Sequence, residues 1–274
     1  MTDVSDWIGR ARSAGDQVTD RLVGEFRVTL GAMHAGSQVS PGLQWCLAPD
    51  IFPREDLGRD GHPRTGLTVP DLGLPRRMWA GGEVSWHGGF APGQAVTVES
   101  IVRDITYKEG RTGRLGFLTL DYLYKVGQDL RVQERRDIVY REDPDIAAPT
   151  PAPPQAEPWP DAEGREVTPD ATLLFRYSAI SFNGHRIHYD APYAREVEGY
   201  AGLVVHGPMQ ATWMQHLATD VLGRVPSSFV YRGMSPATAG HTLRVEVREA
   251  VVGLELRVRD VGRNVVTMTG RVPN

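Results

Sequence analysis

The sequence predicts an α+β protein built from two similar halves, each with a helix ahead of an antiparallel sheet. Three observations support this prediction: runs of alternating apolar residues that repeat in order and spacing, a helical apolar stripe before each set of runs, and a proline-rich segment between the halves. Alternation with a period of two is typical of strands, and apolar positions three and four residues apart are typical of helices.

The two halves end in the same pattern of predicted strands. The segment GQAVTVESIVRDI begins at Gly93 and GHTLRVEVREAVV begins at Gly240, and in each a glycine precedes alternating apolar positions. Strand runs separated by glycine turns predict an antiparallel meander in each half, and the shared order favours an internal duplication. The further alternating runs are Leu115 to Val126 and Leu130 to Tyr140, then Gly253 to Arg259 and Asn264 to Val272.

A helix is predicted ahead of each meander. The first extends from Gln17 to Met33, and the second begins at Pro208 and ends at Gly223. Proline is favoured in the first turn of a helix, and glycine is favoured just past the last turn. The apolar stripes are Val18, Leu22, Phe26 and Leu30 in the first helix and Met209, Trp213, Leu217 and Val221 in the second.

A proline-rich segment separates the halves. Seven of the twenty prolines lie between Pro144 and Pro160. Proline has no backbone donor and favours extended chain, so the segment is predicted to be a linker or a surface strap. We therefore expect an N-terminal domain over residues 1–143, a linker over 144–164 and a C-terminal domain over 165–274.

The composition narrows the class of protein. Thirty basic residues stand against 34 acidic ones, a balance that argues against nucleic-acid binding. The one cysteine, Cys46, can form neither an internal disulfide nor a structural zinc site by itself. No apolar run approaches the roughly 20 residues that cross a bilayer. We expect a cytoplasmic protein with no membrane or nucleic-acid partner.

The segment from Phe175 to Met209 concentrates the residues that can carry chemistry. Phe175 to Ile180 alternates and predicts a short strand, which the Asn183-Gly184 turn ends. Asp190 suits the N-cap of a short helix that starts at Ala191-Pro192. The polar candidates are, in order, Asn183, His185, Arg186, His188, Asp190 and His206.

These residue types fit the addition of water to an unsaturated thioester. An imidazole near neutral pKa, such as His188, can take a proton from water and return it to carbon. The Gly207 amide lies at the positive end of the second helix, where it can bind the enolate oxygen. The Asn183 amide can hold water but cannot act as a base. His185 and His206 are equally open to a structural role.

A metal site is the other chemistry that these residue types allow. Histidine and aspartate ligate many divalent metals, but His-x-x-His with a carboxylate is also common by chance. We therefore expect no metal and no separate cofactor. The possible ligands are His185, His188, Asp190 and His206.

The segment resembles the MaoC-like, R-specific enoyl-CoA hydratase motif, D-x-N-P-[IV]-H-x-D with a later H-G. In this comparison the histidine of the motif falls on His188, its last aspartate falls on Asp190, and its His-Gly falls on His206-Gly207. The resemblance implies that His188 is the acid–base residue and that the Gly207 amide is the oxyanion donor.

Three positions depart from that motif. Its first aspartate falls on Asn183, its asparagine on His185 and its proline on Arg186. In the parent family an Asp-His pair shares the acid–base work. The amide at Asn183 therefore shifts this work toward His188 and leaves Asn183 to position water or substrate.

One branch of that family resembles this chain over nearly its whole length. The stretches FNGHRIHYD and EVEGYAGLVVHGP, with DGHP at Asp60 to Pro63, LPRRMWAGGEV at Leu74 to Val84 and ERRDIVYRE near Ile138, are similar to mesaconyl-CoA and itaconyl-CoA hydratases and to mitochondrial type 2 hydroxyacyl-thioester dehydratases. The resemblance implies a double hot-dog fold, in which two long helices are each wrapped by a curled antiparallel sheet. Catalysis would lie in the C-terminal half, and the N-terminal half would shape the acyl and CoA pocket.

The resemblance also implies an acyl-CoA substrate, most simply a short dicarboxylic one such as mesaconyl-CoA or itaconyl-CoA. Arginine pairs with carboxylates through two hydrogen bonds, so an arginine could bind the free carboxylate or the CoA phosphates. Two alternatives remain, a non-catalytic acyl-CoA-binding protein and an acyl-CoA thioesterase. A homodimer is expected because hot-dog sheets often pair. The predicted substrate-binding residues are Asp190, His185, His206, Arg186, Arg76, Arg77 and Trp79, with Arg176 and Arg232 as further arginine candidates.

Overall fold

One antiparallel sheet of ten strands joins both halves of the protein in a computed structural model, which describes residues 4–36, 40–110, 113–146 and 152–273. The first half contains β1 (Ala11–Gln17), α1 (Asp20–Leu30), β2 (Arg76–Trp86), β3 (Ala95–Gly110), β4 (Gly113–Val126) and β5 (Asp129–Arg141). The second half contains β6 (Glu163–Val167), α2 (Ala171–Ile180), α3 (Ala191–Glu196), α4 (Gly207–Leu222), β7 (Ser228–Gly233), β8 (Leu243–Glu249), β9 (Leu254–Asp260) and β10 (Val265–Val272).

The strand order is symmetric about the centre of the sheet. The order is β1-β3-β4-β5-β2-β7-β10-β9-β8-β6, and the two halves meet where β2 pairs with β7. Outward from that contact, each half repeats the same sequence of strands. This arrangement fits the predicted duplication, and it confirms the meanders, which are β3–β5 and β8–β10.

The second predicted helix is confirmed as the central helix of the C-terminal half. α4 begins at Gly207, one residue before Pro208, and ends where Gly223 takes a left-handed conformation with φ of 66°. Every residue from Pro208 to Thr219 is buried, because α4 packs against β7, β8, β9 and β10. Its first turn is thereby fixed relative to the sheet.

The first predicted helix is also present, within narrower bounds. The Thr19 side chain caps α1 by accepting a hydrogen bond from the Leu22 amide, and Gly31 ends the helix. α1 packs against α2, which follows β6 as α1 follows β1. In the order of elements, the counterpart of α1 is therefore α2, and the described residues between α1 and β2 form no α-helix.

The predicted strand from Phe175 to Ile180 is wrong, because these residues form the last part of α2. The Asp170 side chain caps this helix by accepting a hydrogen bond from the Leu173 amide. Leu174 and Tyr177 are fully buried at helical spacing, whereas Phe175 is exposed. A three-residue spacing over so short a run resembled alternation.

The proline-rich segment lies partly outside the described residues, because 147–151 are not among them. Gln155 forms an isolated bridge with Val265, and Arg257 donates to the Glu157 carbonyl. β6 begins at Glu163, two residues before the expected C-terminal domain. The domain boundaries stay a prediction. No described helix combines the length and the hydropathy needed to span a membrane.

Candidate active site

A large cavity lies where the two halves meet, and residues from both halves line it. The turn after α2, the N-terminus of α4 and strands β2, β4, β5 and β7 all contribute to its wall. The lining includes the predicted residues Arg76, Arg77, Trp79, Asn183, His185, His188 and Gly207, together with His62.

The turn after α2 is organised by its own hydrogen bonds. The backbone N–H of Asn183 donates to the Ser178 carbonyl over 2.8 Å. The side-chain Oδ1 of Asn183 accepts from the backbone N–H of His185 over 2.9 Å. The side-chain oxygen of Asn183 is therefore engaged within the turn. Its Nδ2 group is the part of this side chain left to contact water or substrate.

His188 presents one ring nitrogen to the cavity. Its Nδ1 atom lies 2.7 Å from the Val204 carbonyl, which can only accept, so Nδ1 carries the proton and Nε2 of the neutral ring is an acceptor. The side chain is almost fully buried, and this burial lowers the pKa of His188 to about 3. His188 is thus an uncharged imidazole with a lone pair on Nε2.

His206 supports His188 and does not line the cavity. The two rings stack with centroids 3.6 Å apart, and His206 Nε2 lies 2.8 Å from Ser178 Oγ. His206 is fully buried, and this burial lowers its pKa. The structure therefore places His206 behind His188, which differs from the substrate contact expected from the sequence.

The Gly207 amide is the first N–H of α4, and Gly207 lines the same cavity. Among the described residues it has no hydrogen-bond acceptor, and Pro208 after it has no N–H. The positive end of a helix favours a developing negative charge. Gly207 therefore offers a free donor for an oxyanion.

Asp190 and Arg186 contact each other outside the cavity lining. Asp190 caps α3 by accepting from the Tyr193 amide over 3.1 Å, which confirms the predicted capping role. Arg186 Nη2 lies 2.7 Å from Asp190 Oδ2, and Arg186 Nη1 donates to the Arg59 carbonyl. The predicted substrate contacts of these two residues are therefore wrong for this geometry, because both are committed to the loop.

Arg76 is also committed to the fold, although it lines the cavity. Its Nε donates to Glu198 Oε2 over 2.6 Å, and its Nη2 donates to the Glu198 carbonyl over 2.9 Å. Both side chains are about 95% buried, at 5% and 3% exposure. This ion pair joins β2 of the first half to the segment before α4. Because Glu198 already binds it, the Arg76 guanidinium is not available to a substrate carboxylate.

Arg77 differs from its neighbour. It lines the cavity and is partly buried, and its side chain makes no hydrogen bond or ion pair with the described residues. Burial is the main cause that lowers the pKa of both His62 and His185, and the positive charge of Arg77 adds to it. Trp79 forms the adjacent wall, where its Nε1 donates to the Tyr231 hydroxyl over 3.0 Å.

Asp60 and His62 are the site residues that sequence reasoning missed. His62 Nδ1 lies 2.9 Å from Asp60 Oδ2, and the His62 amide donates to Asp60 Oδ1 over 3.1 Å. The His62 and His185 ring centroids are 4.4 Å apart. The available signal was the DGHP stretch, which puts a carboxylate and an imidazole two residues apart around a glycine.

Asp60, His62 and His185 also form the group in the described part of the chain that could share a metal ion, since their ligand atoms lie within 4.8 Å of one another. The set considered from the sequence does not form such a group, because Asp190 binds Arg186 and the α3 N-terminus instead. The hydrogen bond between His62 Nδ1 and Asp60 Oδ2 occupies one atom of each group, whereas His62 Nε2 has no partner among the described residues.

A close backbone contact brings this loop to the turn after α2. Gly61 has φ of +87°, and a Cβ atom built on it would lie 2.0 Å from the Gly184 carbonyl oxygen. The Arg186 amide donates to the Asp60 carbonyl over 2.8 Å. Only a glycine at position 61 allows this approach, which places His62 beside His185.

We expect Gly61→Ala to lower kcat for the reaction at this site about 100-fold, because it would displace His62 in the cavity wall. A displacement of about 1 Å at an active-site group typically costs that much. Steady-state kinetics would measure the loss. Gly93→Ala is the matched control, since Gly93 has φ of +86° but nothing within 4 Å of its Cβ position. Equal losses in both variants would show that backbone strain, and not the loop contact, is responsible.

The sequence matches the family described as hydroxyacyl-thioester dehydratase type 2 (Htd2) over residues 42–239. A mesaconyl-C(4)-CoA hydratase from Chloroflexus aurantiacus is 41% identical over 234 residues, which cover 84% of this chain and 83% of that protein. The mitochondrial type 2 hydroxyacyl-thioester dehydratase from Schizosaccharomyces pombe is 24% identical, with coverage of 85% and 86%.

Solved structures show the same fold at low sequence identity. A MaoC-like dehydratase from Phytophthora capsici superposes with a TM-score of 0.70 at 16% identity, over 98% of this chain and 97% of that one. A Mycobacterium tuberculosis protein described as a double hotdog has a TM-score of 0.58 at 14% identity, over 97% and 96%. These likenesses confirm the predicted α+β double hot-dog fold. Of the two long helices expected, α4 packs against the strands of the sheet, whereas α1 packs against α2.

Proposed function

Because the chain belongs to the hydroxyacyl-thioester dehydratase type 2 family and is an acyl-thioester hydro-lyase, we propose that it hydrates a short unsaturated acyl-CoA with a second carboxylate, of the mesaconyl-CoA type. The observation that supports this best is the shared cavity wall of His188 and the Gly207 amide. The two groups supply a proton acceptor and an oxyanion donor.

The Gly207 amide would stabilise the charge that hydration creates. When the oxygen of water bonds to the β-carbon, the electron pair of the double bond moves to the thioester oxygen and forms an enolate. A preorganised donor at such an oxygen is typically worth about 100- to 1,000-fold in rate. The Gly207 N–H has no competing acceptor in the described part of the chain.

His188 would take the proton from water. Its Nδ1–H is held by the Val204 carbonyl and its ring is stacked on His206, so Nε2 is fixed in direction. Burial keeps the ring uncharged at neutral pH, so the Nε2 lone pair is available, and the same burial makes His188 a weaker base than the near-neutral imidazole expected from the sequence. Asn183 Nδ2 would hold the water or the thioester oxygen. Dehydration uses the same groups in reverse.

Arg77 would bind the free carboxylate of a dicarboxylic substrate. Arg77 lines the cavity, and its guanidinium has no carboxylate partner among the described residues. A guanidinium binds carboxylates through two parallel hydrogen bonds. Arg76 and Arg186 cannot do this, because Glu198 and Asp190 already bind them. Arg77 thus supplies the charge that a dicarboxylic acyl group requires.

We expect Arg77→Gln to lower kcat/KM for mesaconyl-CoA about 10- to 100-fold, since hydrogen bonds to charged groups contribute about 1.5–3 kcal/mol. For crotonyl-CoA, which has no free carboxylate, the change should stay within about threefold. Arg224→Gln is the control, because Arg224 is exposed and lies outside the cavity lining. An equal loss of kcat/KM on both substrates would show that Arg77 binds the CoA part, which they share, and would contradict its role in selecting the acyl group.

A panel of mesaconyl-, itaconyl- and crotonyl-CoA tests the proposed function. Loss of the enoyl absorbance without thiol release supports hydration, and the highest kcat/KM should fall on a dicarboxylic substrate. Thiol release would indicate a thioesterase, and binding without turnover would indicate a non-catalytic acyl-CoA-binding protein. A homodimer, a cytoplasmic location and the lack of a cofactor stay predictions.

A further inference from the structure

Position 183 carries an amide where the wider family has an acid that shares the proton transfers with the histidine. Hydration removes a proton from water and adds a proton to the α-carbon, and these events occur at different atoms of the substrate. His188 can serve the water, but the Asn183 amide neither gains nor loses a proton under these conditions. One imidazole can in principle do both, but dividing the two events between two groups requires a second group with acid–base capacity near the same substrate.

His62 meets this requirement by position. It lines the cavity, its side chain is 18% exposed, and its Nε2 has no hydrogen-bond partner in the described part of the chain. The His185 ring lies between the rings of His62 and His188. Its centroid is 4.4 Å from the centroid of the His62 ring and 5.4 Å from that of the His188 ring. His62 and His188 therefore face one substrate-sized space.

His62 also has the right electrostatic partner. Of the described histidines that line the cavity, His62, His185 and His188, only His62 is hydrogen bonded to a carboxylate. Asp60 accepts the hydrogen bond from Nδ1–H of His62, which leaves His62 Nε2 as the atom that can gain and lose a proton. A buried carboxylate in this position stabilises the imidazolium that forms during proton transfer.

We propose that His62, held by Asp60, is the second catalytic acid–base residue, which receives the proton taken from water by His188 and delivers it to the α-carbon. This proposal rests on the hydratase function proposed above. Asp60 is a positioning residue, because it acts only through His62. The pair comes from the N-terminal half, so the site would be shared between both halves.

The proton balance closes with both imidazoles uncharged at the start. His188 Nε2 takes one proton from water as the oxygen–β-carbon bond forms and the double-bond pair moves to the thioester oxygen. The proton passes within the cavity to His62, where Asp60 compensates the charge. His62 then gives the proton to the α-carbon as the enolate pair returns to the carbonyl, and both histidines are restored.

Three variants test the proposal in the full-length protein. His62→Gln should lower kcat for hydration about 100- to 10,000-fold, with KM changed only a few-fold. Asp60→Asn keeps a hydrogen-bonding side chain but removes the charge, so it should give a smaller loss in kcat, again without a matching change in KM. His241→Gln is the control, because His241 forms a similar pair with Asp260, 2.7 Å away, outside the cavity lining.

Exchange of the α-proton separates catalysis from a structural role. Methylsuccinyl-CoA, the saturated analogue of mesaconyl-CoA, would be incubated in heavy water and its deuterium uptake measured by mass. The His188→Asn variant should retain exchange, because His62 can trade protons with solvent. The His62→Gln variant should lose it. Loss of hydration in His62→Gln with wild-type exchange would overturn the proposal.

The remaining outcomes are also decisive. If His62→Gln does not fold, Asp60→Asn carries the test, and wild-type kcat and exchange in that variant would overturn the proposal. Activity lost to a chelator and restored by zinc would overturn it too, because Asp60, His62 and His185 would then be metal ligands. If the wild type hydrates the substrate and the variants do so equally well, only the role of His62 is contradicted. If the wild type has no hydratase activity, the proposed function is contradicted as well.

Discussion

Replacing His188 with asparagine is expected to lower kcat for hydration about 100- to 10,000-fold, the usual contribution of an acid–base residue. Asparagine can still donate to the Val204 carbonyl, which His188 Nδ1 contacts at 2.7 Å, so the loop should keep its anchor. What is lost is the Nε2 lone pair on the cavity wall. Initial rates over a range of enoyl-CoA concentrations would measure this change.

The loss in this variant should be in kcat, with KM within a few-fold of wild type. His241→Gln, which changes a histidine outside the cavity lining, should retain the wild-type rate. Circular dichroism and thermal unfolding would establish that both variants are folded. A folded His188→Asn protein with wild-type kcat would remove His188 from the chemistry.

Replacing Arg76 with methionine is expected to lower the free energy of unfolding by about 3–5 kcal/mol, the usual cost of breaking a buried ion pair. The change leaves Glu198, which is 3% exposed, with the Tyr193 hydroxyl at 3.2 Å as its one remaining side-chain partner among the described residues. The pair joins β2 to the segment before α4, so its loss affects the contact between the halves. Denaturant unfolding at equilibrium would measure the effect.

The double variant Arg76→Met, Glu198→Leu should recover much of this loss, because no buried charge is then left unpaired. Arg21→Met is the surface control. Arg21 pairs with Glu25 at 2.8 Å on the outside of α1 and should contribute less than about 1 kcal/mol. Equal destabilisation by the two single substitutions would contradict the structural role assigned to Arg76.

Local patterns were sufficient to predict most of the fold. The meanders, α4 and its glycine terminator, and the Asp190 cap depend on residues within a few positions of one another, and all of them are confirmed. The strand predicted from Phe175 to Ile180 failed because six residues of an amphipathic helix resemble alternation. Burial of Leu174 and Tyr177, which decides the matter, depends on packing against α1.

The candidate site also contains residues that local sequence predicts and residues that only long-range contacts bring together. His188 and Gly207 are joined by a short stretch of chain, so their proximity at the cavity follows from one loop and one helix start. Asp60 and His62 reach them only because Gly61 packs on Gly184, more than 120 residues away. Arg76 was predicted to bind substrate because the sequence does not show its partner Glu198, which is 122 residues away.

The most direct test of the hydratase assignment is the fate of heavy oxygen from labelled water during turnover of mesaconyl-CoA. The site described here predicts that the label enters the β-hydroxyl group of a product that is still a CoA thioester, and that His188→Asn nearly abolishes this incorporation. Label in a released carboxylate together with free CoA thiol, or no product at all from a wild-type protein that binds the substrate, would contradict it.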